Sequence, residues 1–165
     1  LSSYYLDLVS QKPGDQEIYF EYLANVLRFP SYVSLEYVLS ISGVLPETAF
    51  AITSITVKTP RVYKSEIGTF VYRNIKEALF SHFHLKDFNG KKVRIAGTAK
   101  ALFDFLYLKK FLSPANTKEY LLNEGRINWE VLSREDKKEF TGLVMLSGSD
   151  KMRLIAALLK KNKIL

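Results

Sequence analysis

The sequence predicts an α+β domain: a mixed, largely antiparallel central sheet with helices from both ends of the chain packed on it. Three observations carry this prediction. The middle of the chain, Ala49 to Ile75, is rich in β-branched and aromatic residues and is punctuated by Thr59-Pro60 and Gly68, the pattern of consecutive strands joined by tight turns. On either side of it apolar residues recur at helical spacing, first Ile18, Tyr19, Tyr22, Leu23, Val26 and Leu27, later Met152, Leu154, Ile155, Ala156, Leu158 and Leu159. No internal repeat, low-complexity tract or long linker divides the chain, so helices and strands share one core.

Taken in order, Leu1 to Val9 reads as a short strand, ended by the turn chemistry of Lys12-Pro13-Gly14-Asp15. A helix begins at Asp15, which can cap it, and Glu17 suits the positive end of its dipole; Phe29-Pro30 stops it. A shorter helix follows, with Ser34 as N-cap, Leu35, Val38 and Leu39 as its apolar stripe and Gly43 as its stop. Beyond the strand-rich middle, residues 81–88 and 91–96 form a hairpin around Asn89-Gly90, a pair that readily adopts positive φ. Thr98 then caps a helix from Ala99 to about Phe111 that is apolar on nearly every side and must be central. Ser113-Pro114 ends it, and residues 117–122 supply one or two further turns. Ser133, with acids in the next turn, caps a helix carrying Phe140, Leu143 and Val144, interrupted by Gly142. Ser149-Asp150 opens the last helix, and Lys160, Lys161 and Lys163 suit its C-terminus.

Bulk properties narrow the function classes. At 165 residues and 47% hydrophobic, the chain holds one compact domain with a proper core. A formal net charge of +7 favours encounter with phosphate-rich or otherwise acidic partners. Cysteine is absent, which excludes disulfides, thiolate metal sites and thiol nucleophiles. No run approaches the roughly 20 apolar residues of a membrane span, and the start lacks a signal-peptide pattern, so a soluble cytoplasmic protein without membrane contact is expected.

The strand-rich middle is also basic. Lys58, Arg61, Lys64, Arg73 and Lys76 face one acid, Glu66, before Glu77. Five cations on one piece of sheet are candidates for contact with nucleic-acid phosphate or an acidic partner. The plainer alternative is a solvated face whose lysines guard an edge strand. Tyr63 and Tyr72 could stack on unpaired bases, although tyrosines within a sheet usually pack. His82 and His84 share a face if their segment is a strand, yet a zinc site needs further ligands, and neither a metal nor another cofactor is expected. Lys100 and Asp104, four apart on the central helix, fit an ion pair or polar anchor to the sheet. No nucleophile elbow, phosphate loop or dinucleotide fingerprint occurs. Glu135-Asp136-Lys137 falls at a helix start beside a capping serine, not where nuclease carboxylates converge. No catalytic residue is assigned, leaving a metal-dependent nuclease as the weakest alternative.

Three segments together resemble a known family. They are Tyr32-Val33-Ser34-Leu35-Glu36 through Leu39 with Gly43-Val44-Leu45-Pro46-Glu47; Ala51 through Thr56, Gly68-Thr69-Phe70 and Tyr72 to Lys76; and Ile95-Ala96 with Lys100-Ala101-Leu102 and Asp104 to Leu108. Their order and spacing, from about Ser31 to Leu112, are similar to the C-terminal domain of the AbiEi-type antitoxins, regulators of type IV toxin-antitoxin and abortive-infection systems. Where the family pattern usually has Pro-Glu before the lysine, this chain has Thr98-Ala99. The resemblance implies an antitoxin and transcriptional autorepressor that counteracts a nucleotidyltransferase toxin without a durable complex. It also implies a winged helix-turn-helix ahead of Leu1 that binds promoter DNA, with residues 1–14 as the strand and linker following it and residues 15–165 as the antitoxin domain. A basic module acting on the toxin's RNA or DNA target is the alternative. Within this frame Ile55, Val57, Phe70 and Val71 are the expected core of the sheet.

Overall fold

A computed structural model describes residues 14–165 of the chain. The strand expected over Leu1 to Val9, and most of the turn after it, lie outside the described residues. The helices, in chain order, are α1 (Asp15–Leu27), α2 (Leu35–Ile41), α3 (Thr98–Leu108), α4 (Pro114–Glu119), α5 (Arg134–Ser147) and α6 (Asp150–Lys161). The strands are β1 (Ser31–Val33), β2 (Ile52–Thr56), β3 (Arg61–Ser65), β4 (Gly68–Asn74), β5 (Phe83–Phe88) and β6 (Lys91–Ala96). They form one six-stranded sheet in the order β3-β4-β2-β1-β6-β5. Pairing is antiparallel for β1 with β2, β3 with β4 and β5 with β6, and parallel for β1 with β6 and β2 with β4. The fold is the expected α+β class with a mixed sheet.

Burial explains the strand order. The last four residues of β2, Thr53 to Thr56, are all buried, as an interior strand requires, whereas β3 is exposed at every residue except half-buried Tyr63. The consecutive strands β2 and β3 are therefore not neighbours: β4 inserts between them. The expected core is right for Ile55 and Phe70, but Val57 and Val71 are only half-buried, and Tyr72 and Ile75 are buried instead. Val57 misses the core because it lies just past the end of β2.

Register assigns the two faces. Ser31 and Tyr72 share one face and donate hydroxyl hydrogen bonds to the Ala24 carbonyl of α1, at 3.4 and 2.6 Å. Tyr32 and Arg73 share the other and reach Asp104 of α3 and Glu36 of α2. Helix α1 thus covers one face and α2 with α3 the other. Residues Ala99 to Leu106 of α3 are buried without exception, so α3 is central as its composition demands. Beyond it, α6 buries Met152, Ile155, Ala156 and Leu159, the i, i+3, i+4, i+7 stripe, each large side chain contributing roughly 1.5–3 kcal/mol.

Several element ends differ from expectation. Gly14, at φ 94°, occupies the cap position of α1, and Asp15 is its first helical residue. Ser34 stands at the N-cap of α2 but its hydroxyl points to Asp104; Thr53 Oγ1 instead accepts from the Tyr37 N–H at 3.0 Å, a cap supplied from the sheet. Thr98 is inside α3, with Gly97 at the cap. The same helix stops at Leu108 rather than near Phe111, because Lys151 of α6 donates to the carbonyls of Tyr107 and Lys109 and satisfies its C-terminal end. Strand β5 begins at Phe83, since His82 adopts a left-handed φ of 60°. The hairpin turn falls on Asn89 and Gly90, at φ 50° and 77°, as a two-residue turn requires. Ser133 and Asp136 form a reciprocal capping box on α5.

Candidate functional site

Strand alternation divides the five sequence-selected cations. Arg61 lies across from Tyr72, on the α1 face, and its guanidinium sits 5.4 Å from the centre of the Tyr63 ring. Lys64 pairs across with Thr69 and shares the opposite face with Arg73. Lys58 and Lys76 are on neither face: both are exposed and follow the C-terminal ends of β2 and β4. Because β2 and β4 are parallel while β3 is antiparallel to β4, Lys58, Arg61, Arg73 and Lys76 gather at one end of the sheet. Lys64 lies nearer the other end. The arrangement is a rim across a sheet end and not a single basic face.

One further cation joins this rim. Arg28 follows α1, and its Nη2 donates to the Thr59 carbonyl at 2.6 Å and to Thr59 Oγ1 at 2.8 Å. It thereby anchors the connection that carries Lys58, whose own carbonyl accepts from Asn74 Nδ2 at 3.0 Å. The contact spans 31 positions in the chain, so no local pattern could have linked Arg28 to the strands. Charge on the rim is partly neutralised where Arg73 pairs with Glu36 at 2.9 Å. The tyrosines pack: Tyr72 is buried, with Tyr63 edge-on at 5.7 Å between ring centres. Burial pushes the Tyr72 phenol well above its ordinary range, with Tyr63 adding to the shift and Arg28 opposing it.

Lys100 and Asp104 form a second constellation, wholly inside the protein. Both side chains are 0% exposed, with Nζ to Oδ1 at 2.7 Å. Lys100 also donates to the Leu79 carbonyl at 2.8 Å, and Asp104 Oδ2 accepts from Tyr32 Oη at 2.9 Å and Ser34 Oγ at 2.8 Å. The expected polar anchor is therefore complete and deeper than semi-buried. Burial raises the Asp104 carboxyl above its ordinary range, with Lys100 and then the two hydroxyls opposing it. The network joins β1, α3 and the 3-10 turn Glu77–Leu79, and its inaccessibility makes it a structural hub.

The remaining candidates dissolve on inspection of their backbone. His82 precedes β5, so strand alternation does not align it with His84. Asp136 is occupied as a helix cap, accepting from the N–H and Oγ of Ser133 at 2.9 and 2.7 Å. Among the described residues no group of three or more His, Asp or Glu is placed to hold a metal ion. Nor, among those residues, is any helix long and apolar enough to cross a membrane.

No family model, curated protein or solved structure matches the chain.

At the far edge of the sheet sits a group that the sequence did not suggest. Glu21 of α1 is buried, accepting from Tyr37 Oη at 3.2 Å and from Lys86 of β5 at 2.9 Å. Beside it Arg94 of β6 lies against Phe29, with 4.8 Å from guanidinium carbon to ring centre. In the sequence Phe29 reads only as part of a helix stop. Its exposure becomes visible once the strands β5 and β6 are set next to α1.

Proposed function

We propose that the protein is a non-enzymatic antitoxin and transcriptional autorepressor of a type IV toxin-antitoxin pair, acting in the cytoplasm against a nucleotidyltransferase toxin. One observation supports this reading above the others. The segments that resemble the AbiEi-type antitoxins, far apart in sequence, supply the halves of one buried network: Tyr32 and Ser34 from the first, Lys100 and Asp104 from the third. The second segment forms β2 and β4 next to it. Coincidental likeness in three short segments would not be expected to converge on a satisfied ion pair, which is costly unless every partner is present.

The rim of Arg28, Lys58, Arg61, Arg73 and Lys76 then serves as a secondary contact with phosphate or an acidic surface, adding affinity without sequence information. Promoter recognition would fall, by the same resemblance, to a winged-helix domain. The test is co-expression of the full-length protein with the product of the adjacent gene, expected on this reading to be a nucleotidyltransferase, together with a reporter for its own promoter. Growth rescue and repression are expected; failure of the full-length protein to rescue overturns the reading. Replacing Arg61, Arg73 and Lys76 together by Gln tests the rim: unchanged repression and rescue would make it a solvated face.

The rim also favours a second reading, a basic module bound to the toxin's nucleic-acid target. Salt-steep binding of RNA or DNA by this domain, lost in the same triple variant, would distinguish it.

A further inference from the structure

A cleft of about 540 Å³ opens between α1 and the β5–β6 hairpin, at the opposite edge of the sheet from β3. Its apolar lining is Val26, Phe29 and Leu85, and its polar lining includes Asn25, Lys92 and Arg94. The apolar members are far from buried: Val26 is 55% exposed, Phe29 61% and Leu85 60%. Here the three converge on one opening that also carries two cations.

The cations of the cleft are held in place. Strand β1 is so short that it pairs with β6 only at Val33 and Ile95. At the next residue the Asn25 carboxamide takes the place of a neighbouring strand, accepting the Arg94 N–H at 2.6 Å and donating to the Arg94 carbonyl at 3.1 Å. The Arg94 backbone is thereby fixed, and its guanidinium carbon lies 4.8 Å from the ring centre of Phe29 and 5.8 Å from that of Phe83. No carboxylate among the described residues pairs with it. Lys92 meets Asp87 at 3.0 Å in an exposed pair that an incoming anion can displace.

An occupant must therefore offer flat apolar surface to Phe29 and negative charge to Arg94 and Lys92. Carboxylates of an acidic peptide would satisfy the charge alone, whereas a base has a π-face for Phe29 and its phosphates lie a few ångströms away. A duplex keeps its bases stacked internally and cannot offer that face. We propose that this cleft binds unpaired nucleotides of a single-stranded nucleic acid, one base stacking on Phe29 and the flanking phosphates meeting Arg94 and Lys92. The proposal is independent of the antitoxin reading and concerns the opposite sheet edge from the rim.

Fluorescence anisotropy of the protein with labelled oligouridylate or oligodeoxyuridylate of roughly 12 nucleotides, and with a duplex of equal length, provides the test. Both single strands should bind more tightly than the duplex, and the tighter of the two identifies the sugar recognised. Phe29→Leu, which keeps the site apolar but removes the ring, should weaken single-strand binding by about 5- to 100-fold. Arg94→Gln and Lys92→Gln should each reduce the salt slope by about 0.7, while Lys64→Gln at the other edge changes neither affinity nor the single-strand preference. Should Phe29→Leu disturb the circular dichroism spectrum, Leu85→Gln, exposed on β5, replaces it with the same expected direction. Equal binding of duplex and single strand, affinities unchanged in the Phe29, Leu85 and Arg94 variants, or displacement by a polyglutamate-tyrosine copolymer at matching concentration each overturns the proposal.

Discussion

Replacing Lys100 by Met keeps the length and apolar stem of the side chain and deletes only its ammonium group. In the structure that group donates to Asp104 at 2.7 Å and to the Leu79 carbonyl at 2.8 Å, and it lies 5.5 and 5.2 Å from the ring centres of Tyr32 and Phe103. Its loss leaves a carboxylate with no exposed surface held only by two hydroxyls. Breaking a buried pair on one side costs about 3–5 kcal/mol, because the remaining charge is uncompensated. At about 2–4 °C per kcal/mol for a chain of this size, the melting temperature should fall by roughly 6–20 °C. The sign of the pH dependence follows from Asp104. Burial already raises its carboxyl above the ordinary range, and removing the lysine raises it further, so the folded variant holds a proton more tightly than the unfolded chain, whose aspartates titrate near pH ~3.9. Stability of the variant is therefore best below that value and is lost as pH rises through the folded pKa. Urea unfolding followed by circular dichroism at about pH 5 and about pH 7.5 should give the smaller deficit at the lower pH. A deficit under about 1 kcal/mol at the higher pH, or an equal deficit at both, would mean that solvent reaches the pair and would refute the reasoning.

Three other outcomes are expected. Arg61→Gln and Lys64→Gln should each change stability by under about 0.5 kcal/mol, and Arg73→Gln by no more than about 1 kcal/mol, because its pair with Glu36 is half-exposed; chemical denaturation separates the two cases. A methyl group on Gly125 would come within 2.7 Å of the Tyr120 carbonyl oxygen, so Gly125→Ala should cost about 1–3 kcal/mol. Gly97→Ala meets only the far end of the exposed His84 ring at 2.9 Å and should be nearly neutral in the same melting assay. Burial pushes the Tyr32 phenol, helped by Asp104, and the Tyr72 phenol far above the ordinary value of 10.0. Their stabilising contribution is complete below about pH 10 and declines above it by up to about 1.4 kcal/mol per pH unit for each tyrosine. An ultraviolet titration should show these two phenols ionising only as circular dichroism reports unfolding.

Much of the fold was legible because local chemistry and tertiary demand agree. Phe29-Pro30, Asn89-Gly90 and Ser133 through Asp136 mark real boundaries, each through a mechanism confined to a few residues: a breaker, a turn of positive φ, a capping box. Features set by a distant group were misread. Helix α3 stops early because Lys151 reaches its carbonyls from another helix, and Ser34 surrenders its capping role to Thr53 because Asp104 claims its hydroxyl. The candidate site was legible only as a list of cations. The list could neither include Arg28 nor reveal that Lys64 lies nearer the other end of the sheet.

By itself the sequence determined that this chain is an α+β domain with a central apolar helix, a basic strand-rich middle and no cysteine chemistry. Those properties follow from residue type and spacing, which act within a turn or a strand. Tertiary structure decided the strand order, since pairing β2 with β4 in parallel depends on which strand has both faces to bury. It also decided the fate of the charges: Lys100 became an interior anchor, Arg73 a partner of Glu36, and Arg94 a cation over the Phe29 ring with no carboxylate partner among the described residues. The physical reason is common to all three. A charge's energy depends on the groups and solvent around it in space, and those arrive from segments that no local spacing connects.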